Sequence, residues 1–149
     1  MTKVTAQTRQ FNARLEPFSA VREFIERFCA GAEAPKRTGE ELVLIVDELS
    51  ENTVRHGYPS IEGKATEWPI WLTLSVSGRD IVALYEDAAP AHNPFDNIVP
   101  PDYSGPAESW RIGGWGVPLI ARIAGSLRYE HSGGRNRIHF TLPIDRTGM

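Results

Sequence analysis

Asp47-Glu48-Leu49-Ser50-Glu51-Asn52-Thr53-Val54-Arg55-His56-Gly57-Tyr58 is the stretch on which the fold turns. Placed at ~100° per residue, Leu42, Ile45, Val46, Leu49 and Thr53 share one arc, the pattern of an amphipathic helix. The period reaches back to Lys36 and forward to His56, where Gly57 and Pro59 stop it. A helix over 36–56 is ~30 Å long, the width of a small domain. Glu48 lies at the edge of the apolar arc, and Asn52 and His56 rotate into it. Polar groups on a core side need partners, because an unsatisfied buried amide costs ~1–3 kcal/mol. Two readings follow. These residues cap and hydrogen-bond near the helix end, or Glu48, Asn52, Arg55 and His56 face a cavity that holds a charged ligand. In the second case a carboxylate there suits a general base, and an amide oxygen suits a hard cation such as Mg²⁺.

Toward the N-terminus, Phe18, Val21, Phe24, Ile25 and Phe28 recur at three- and four-residue spacing and predict a helix from Pro17 to Gly31. Weak alternation over Phe11 to Leu15 predicts an edge strand before it. Toward the C-terminus, Ile70, Leu72, Leu74 and Val76 alternate with Trp71, Thr73, Ser75 and Ser77, a strand with one buried face. Ser77-Gly78-Arg79-Asp80 then turns into a second strand, Ile81 to Glu86. Residues 87–114 break every period and hold five prolines, Pro90, Pro94, Pro100, Pro101 and Pro106. A loop of that length in a compact domain is usually functional, so a lid over about 88–114 is expected. A short helix, Val117 to Ala124, and a hairpin, Ser126 to His131 and Asn136 to Pro143, complete the chain. The order β-α-α-β-β-loop-α-β-β predicts an α/β (α+β) two-layer sandwich, with helices on one face of a mostly antiparallel sheet.

The 149 residues suit one domain, 1–149, and 41% hydrophobic with 23% charged residues excludes wholesale disorder. Sixteen Lys and Arg stand against 19 Asp and Glu, so a nucleic-acid partner is not expected. Cys29 is the only cysteine, which excludes an intramolecular disulfide and a cysteine-rich zinc site. His92, His131 and His139 have no metal-ligand spacing. No apolar run approaches a membrane span, and Met1 to Gln7 has no signal-peptide core, so a cytoplasmic protein without a membrane partner is expected.

Two further features carry chemistry. Asp87 ends the strand of Tyr85-Glu86-Asp87-Ala88-Ala89-Pro90; it is either a turn residue or an acceptor for the exocyclic amine of a purine. Arg111-Ile112-Gly113-Gly114-Trp115-Gly116-Val117 precedes the short helix, where glycine backbone can approach phosphates at the positive end of a helix dipole, or can serve as a hinge.

Taken together, these segments resemble the motifs of the GHKL (Bergerat-fold) ATPase superfamily. The helix from Glu48 through Asn52 to Tyr58 is similar to its N-box. Asp87-Ala-Ala-Pro, continuing to Asn93-Pro94-Phe95-Asp96, is similar to its G1 box, and Gly113-Gly114-Trp-Gly116-Val to its G2 box. The closing stretch from Leu127 to Phe140 looks like the last hairpin of the anti-sigma-factor serine kinase branch. That resemblance implies a Bergerat fold that binds ATP with Mg²⁺, holds a sigma factor inactive, and phosphorylates a serine or threonine on a STAS-type antagonist. It implies Glu48 as general base, Asn52 as the Mg²⁺ ligand, and Arg55 and His56 beside the nucleotide. Asp87 would meet the adenine amino group, and Gly113, Gly114 and Gly116 would let the lid close on the phosphates. Members of that branch often dimerise through the sheet, so a homodimer is an open expectation. At this length the resemblance implies a stand-alone ATPase domain, without a transducer domain or a helix pair bearing a phosphoacceptor histidine. Ala89 stands where the usual Asp-x-Gly has glycine; it is strained there if the backbone needs positive φ, and harmless otherwise. The alternative is a non-catalytic module that holds ATP as a structural ligand and sequesters a partner.

Overall fold

The computed structural model describes residues 5–60, 67–96 and 116–144. Among them, five strands and three α-helices follow in the order β1 (Gln7–Asn12), α1 (Phe18–Gly31), α2 (Lys36–Asn52), β2 (Pro69–Ser77), β3 (Asp80–Asp87), α3 (Gly116–Ile123), β4 (Ser126–Ser132) and β5 (Arg135–Pro143). The sheet order is β1-β2-β3-β5-β4, and every neighbouring pair is antiparallel. Strict period-two burial explains the sheet. Ile70, Leu72 and Leu74, Ile81, Ala83 and Tyr85, and Ile138, Phe140 and Leu142 all turn to one face. There they meet Val21, Ile25 and Phe28 of α1, Leu42, Ile45, Val46 and Leu49 of α2, and Ile120 of α3 in a single core. The opposite face is laced with charge: Arg135 lies 3.5 Å over the Trp71 ring, and Arg135 and Arg137 both pair with Glu86. This is the two-layer sandwich the alternation predicts.

Gly133 and Gly134 both have positive φ, 61° and 75°, which a two-residue hairpin of this twist requires. Most boundaries agree to within a residue, and two differ by more. The first strand is Gln7–Asn12 rather than Phe11–Leu15, because the Asn12 side chain ends it. Its Oδ1 accepts the N–H groups of Arg14 (3.1 Å) and Trp68 (3.2 Å), turning the chain toward α1. The helix expected over 36–56 is α-helical only to Asn52. A π-helical turn, Thr53–Gly57, and a 3₁₀ turn, Tyr58–Ser60, follow. Of the expected lid, residues 88–96 contain neither helix nor strand, and the rest lies outside the described residues. Among the described residues, no helix is long and apolar enough to cross a membrane.

Candidate functional site

β3 runs through the middle of the sheet and ends at Asp87, which faces Ile70 on β2 and Asn136 on β5. The carboxylate is buried, 7% exposed, and a buried carboxylate needs donors. It has three. Oδ2 accepts the Thr53 hydroxyl at 2.8 Å, and Oδ1 accepts the Ala89 N–H at 3.1 Å and the Asn136 amide at 2.8 Å. The Tyr85 hydroxyl lies 2.6 Å from Thr53 Oγ1 and 3.3 Å from the Leu49 carbonyl oxygen. Burial, and then the Asp87 charge, raise the Tyr85 hydroxyl far above its usual range, so it stays protonated and donates. A carboxylate can only accept, so the Thr53 hydroxyl donates to Asp87 Oδ2 and is left to accept from Tyr85.

Above Asp87 the helix changes geometry. The Thr53 hydroxyl also lies 3.0 Å from the Leu49 carbonyl, and the Tyr58 N–H reaches back to the Thr53 carbonyl, the wider π spacing. The Tyr58 hydroxyl then donates to the Pro69 carbonyl and accepts the Ala88 N–H at 2.8 Å, pinning the residue after Asp87. Burial pushes the Tyr58 hydroxyl up to about 12. A cavity of about 30 Å³ opens between these elements, lined by Asn52, Thr53, Asp87, Ala89, His92 and Asn136 among others. That volume is nearer to a water molecule than to a purine.

Of the residues expected at the site, Asn52 and Asp87 come together on this cavity. Glu48 stands one helical turn before Asn52 and is half-buried. Burial first, then Asp47 and Glu51, hold its carboxyl above the ordinary 4.5, against the pull of Arg55. Arg55 and His56 do not line the cavity. Arg55 pairs with Glu51 at 3.3 Å and lines a separate cavity with Phe11, Phe18 and Asp47, while His56 is exposed. Glu51 and Arg55 are i,i+4 neighbours, so ordinary helical spacing is enough to pair them. Gly113 and Gly114 lie outside the described residues, and Gly116 opens α3.

Ala89 is unstrained. Among the described residues, Glu33 is the only non-glycine with positive φ. The Ala89 methyl instead packs against Gly57, where a Cβ would come within 3.0 Å of it. Thr53, Tyr85 and Asn136 also line the cavity, and Tyr58 and Tyr129 hydrogen-bond to the segment after Asp87; motif spacing singled out none of them. Thr53 had shown itself only as a member of the apolar arc. Asn136 faces Asp87 through the β3–β5 register, which needs the strand order.

Asn52 suits a divalent cation shared with phosphates. Its half-buried amide lines the cavity, and among the described residues no cluster of three or more His, Cys, Asp or Glu could cage a metal alone. Mg²⁺ typically takes one or two protein oxygens and completes its shell with phosphate and water.

Comparison with known proteins agrees with this geometry. A family model described as a histidine kinase-like ATPase domain matches residues 11–142. The structure of the RsbU and RsbW domains of Rv1364c from Mycobacterium tuberculosis superposes with a TM-score of 0.61 at 18% identity. It covers 94% of this chain and 32% of that longer one, a likeness of fold. Histidine kinase AdeS from Acinetobacter baumannii has a TM-score of 0.48 at 13% identity, over 96% of this chain and 70% of that one. None of the curated proteins matches this chain.

Proposed function

Because the chain belongs to the histidine kinase-like ATPase domain family, we propose that it binds ATP with Mg²⁺, phosphorylates a serine or threonine of a STAS-type antagonist and holds a sigma factor inactive. The observation that carries this reading is the buried Asp87 carboxylate on the cavity that Asn52 also lines; its Oδ2 has one donor among the described residues and, as a carboxylate oxygen, a second acceptor position. An exocyclic amino group of a purine fits that position.

The γ-phosphate would then extend toward Asn52 and Glu48. Asn52 would hold Mg²⁺, which neutralises charge on the phosphates as it develops. Glu48 would take the proton of the attacking hydroxyl as the new O–P bond forms and the bond to the β-phosphate breaks, releasing ADP. A carboxyl raised by burial is a stronger base than an ordinary one, provided the pH lies above its pKa. Phosphoryl transfer otherwise asks for positioning and charge neutralisation, which α2 and the glycine-rich stretch of sequence at 113–116 would supply. Arg55 enters this scheme only if it leaves Glu51. We place the protein in the cytoplasm, where ATP is available.

A second reading, a module that holds ATP without transfer, draws on the small cavity and the Ala89 methyl that narrows it. Calorimetric titration with ATP, with and without Mg²⁺, followed by phosphate transfer to a purified STAS domain, tests both. Glu48→Gln should keep ATP binding and lose transfer. Absence of saturable binding at millimolar ATP would overturn the nucleotide site, and transfer that survives Glu48→Gln would overturn the base assignment.

A further inference from the structure

Asp47 and Ser50 of α2 line a second cavity, of about 170 Å³, against the end of β1 and the start of α1. Among the described residues, it shares no lining residue with the cavity at Asp87. Phe11, Phe18, Val21 and Ile70 make its wall mainly apolar. An apolar cavity of about 150 Å³ accepts benzene, so this one takes a body about the size of one aromatic ring.

The polar groups on this wall are unevenly matched. Three carboxylates, Glu16, Asp47 and Glu51, stand against one cation, Arg55, among the described lining residues. Glu16 accepts the Asn12 N–H at 3.0 Å and pairs with Arg9 at 3.6 Å, and Glu51 pairs with Arg55 at 3.3 Å. Asp47 has neither a hydrogen bond nor an ion pair among the described residues. Burial first, then Glu51, raise its carboxyl above the ordinary 3.8, and Arg22 only opposes them. A half-buried carboxylate without a donor is an uncompensated charge, and a cation brought into the cavity relieves it. Three residues on, Ser50 is 8% exposed. Its Oγ stands near the Tyr85 hydroxyl without reaching the geometry of a hydrogen bond, and has no partner among the described residues. Buried polar groups are normally satisfied, so two unmatched ones on one apolar cavity point to a ligand that brings donors. An anionic ligand would find Arg55 already paired and Asp47 repelling it.

We propose that this cavity binds a small organic cation, a primary amine on an apolar body the size of one ring, with its ammonium on Asp47 and its body against Phe11, Phe18, Val21 and Ile70. Of the three ammonium N–H groups, Asp47 accepts one, and a second is available to Ser50 Oγ after a rotation about Cα–Cβ. The site does not depend on the nucleotide reading, because it uses none of the residues around Asp87.

The test titrates the full chain with benzylamine, protonated at neutral pH, and with two probes of similar size, neutral benzyl alcohol and anionic benzoate. Backbone amide NMR shifts report affinity and place, and a thermal melt of each protein confirms folding. Benzylamine should saturate, shift the amides of 47–55, and bind about five- to tenfold more tightly than benzyl alcohol, between the value of an exposed ion pair and that of a charged hydrogen bond. Benzoate should bind most weakly. Asp47→Asn keeps the shape and removes the charge. It should bring benzylamine down to the level of benzyl alcohol and leave benzyl alcohol itself unchanged. Three results would overturn the proposal: equal affinity for benzylamine and benzyl alcohol in the parent, tightest binding by benzoate, or a benzylamine preference that survives Asp47→Asn. Absence of saturable binding by benzylamine would overturn it as well and leave the cavity to water. The nucleotide reading is tested by ATP and stands or falls apart from these probes.

Discussion

Exchanging the residues at 57 and 89 tests how the cavity is closed. A Cβ added at Gly57 meets the Ala89 Cβ at 3.0 Å, so tight that the neighbour must give by a few tenths of an ångström, and Gly57 is not among the positive-φ glycines. Backbone strain therefore plays no part in the outcome. Gly57→Ala gains ~0.4–1 kcal/mol by restricting the unfolded chain, but overpacking costs ~1–3 kcal/mol, for a net loss of about 1 kcal/mol. Ala89→Gly removes a buried methyl worth ~0.8 kcal/mol and adds ~0.5–1 kcal/mol of backbone entropy, a loss of about 1.5 kcal/mol. If the two positions did not interact, the double variant would lose the sum, about 2.5 kcal/mol. If they touch, the double variant regains the contact room, the entropy changes offset, and it should lie within ~1 kcal/mol of the parent. Urea unfolding at constant m-value measures all four proteins. Ala89→Gly alone should also bind ATP more tightly than the parent, despite its lower stability, because it widens the purine space. Additive losses in the cycle would refute the idea that the Ala89 methyl closes the site against Gly57.

Asp87→Asn should fold almost as well as the parent, because the new amide N–H can donate to Thr53 Oγ1 while the Thr53 hydrogen turns to the Leu49 carbonyl, 3.0 Å away. Its ATP affinity should nevertheless fall about 10- to 100-fold, since a charged acceptor becomes a donor facing the base; calorimetry showing parent-like affinity would remove Asp87 from the site. Asp47 predicts a pH dependence of stability: burial, then Glu51, raise its carboxyl above the ordinary 3.8, and Arg22 opposes them. A raised carboxyl favours the folded state while protonated, so this contribution is present in full below pH ~3.8 and is lost as the pH rises through the raised value. Asp47→Asn should therefore be more stable than the parent near neutral pH and lose that advantage in acid; an equal advantage in denaturant unfolding at both pH values would contradict the assignment.

The site was legible wherever local pattern determines it and illegible wherever one element must find another. Asp87 could be placed at a strand end from alternation alone, and Asn52 at the cavity from helical period, because both follow from side-chain direction along a single element. Arg55 and His56 were placed by the same period and ended elsewhere. The π turn at Thr53–Gly57 begins at the residue that hydrogen-bonds across to Asp87 and Tyr85, contacts that no local period displays.

Amino-acid order by itself determined the two layers. Period-two burial in β2, β3 and β5 and the apolar arc of α2 are local consequences of where side chains point. Turn residues such as Gly133 and Gly134 declare themselves by the backbone they permit. Only the tertiary structure decided that β5 lies beside β3, since pairing between strands some 50 residues apart depends on how the whole core packs. That single adjacency brings Asn136 to Asp87, and the folded chain also showed that Ala89 is unstrained and packs on Gly57. The chemistry of the residues was written along the chain; their mutual satisfaction, in which every donor of Asn136 is spent on Asp87 and the carbonyls beside it, exists only after the sheet has closed.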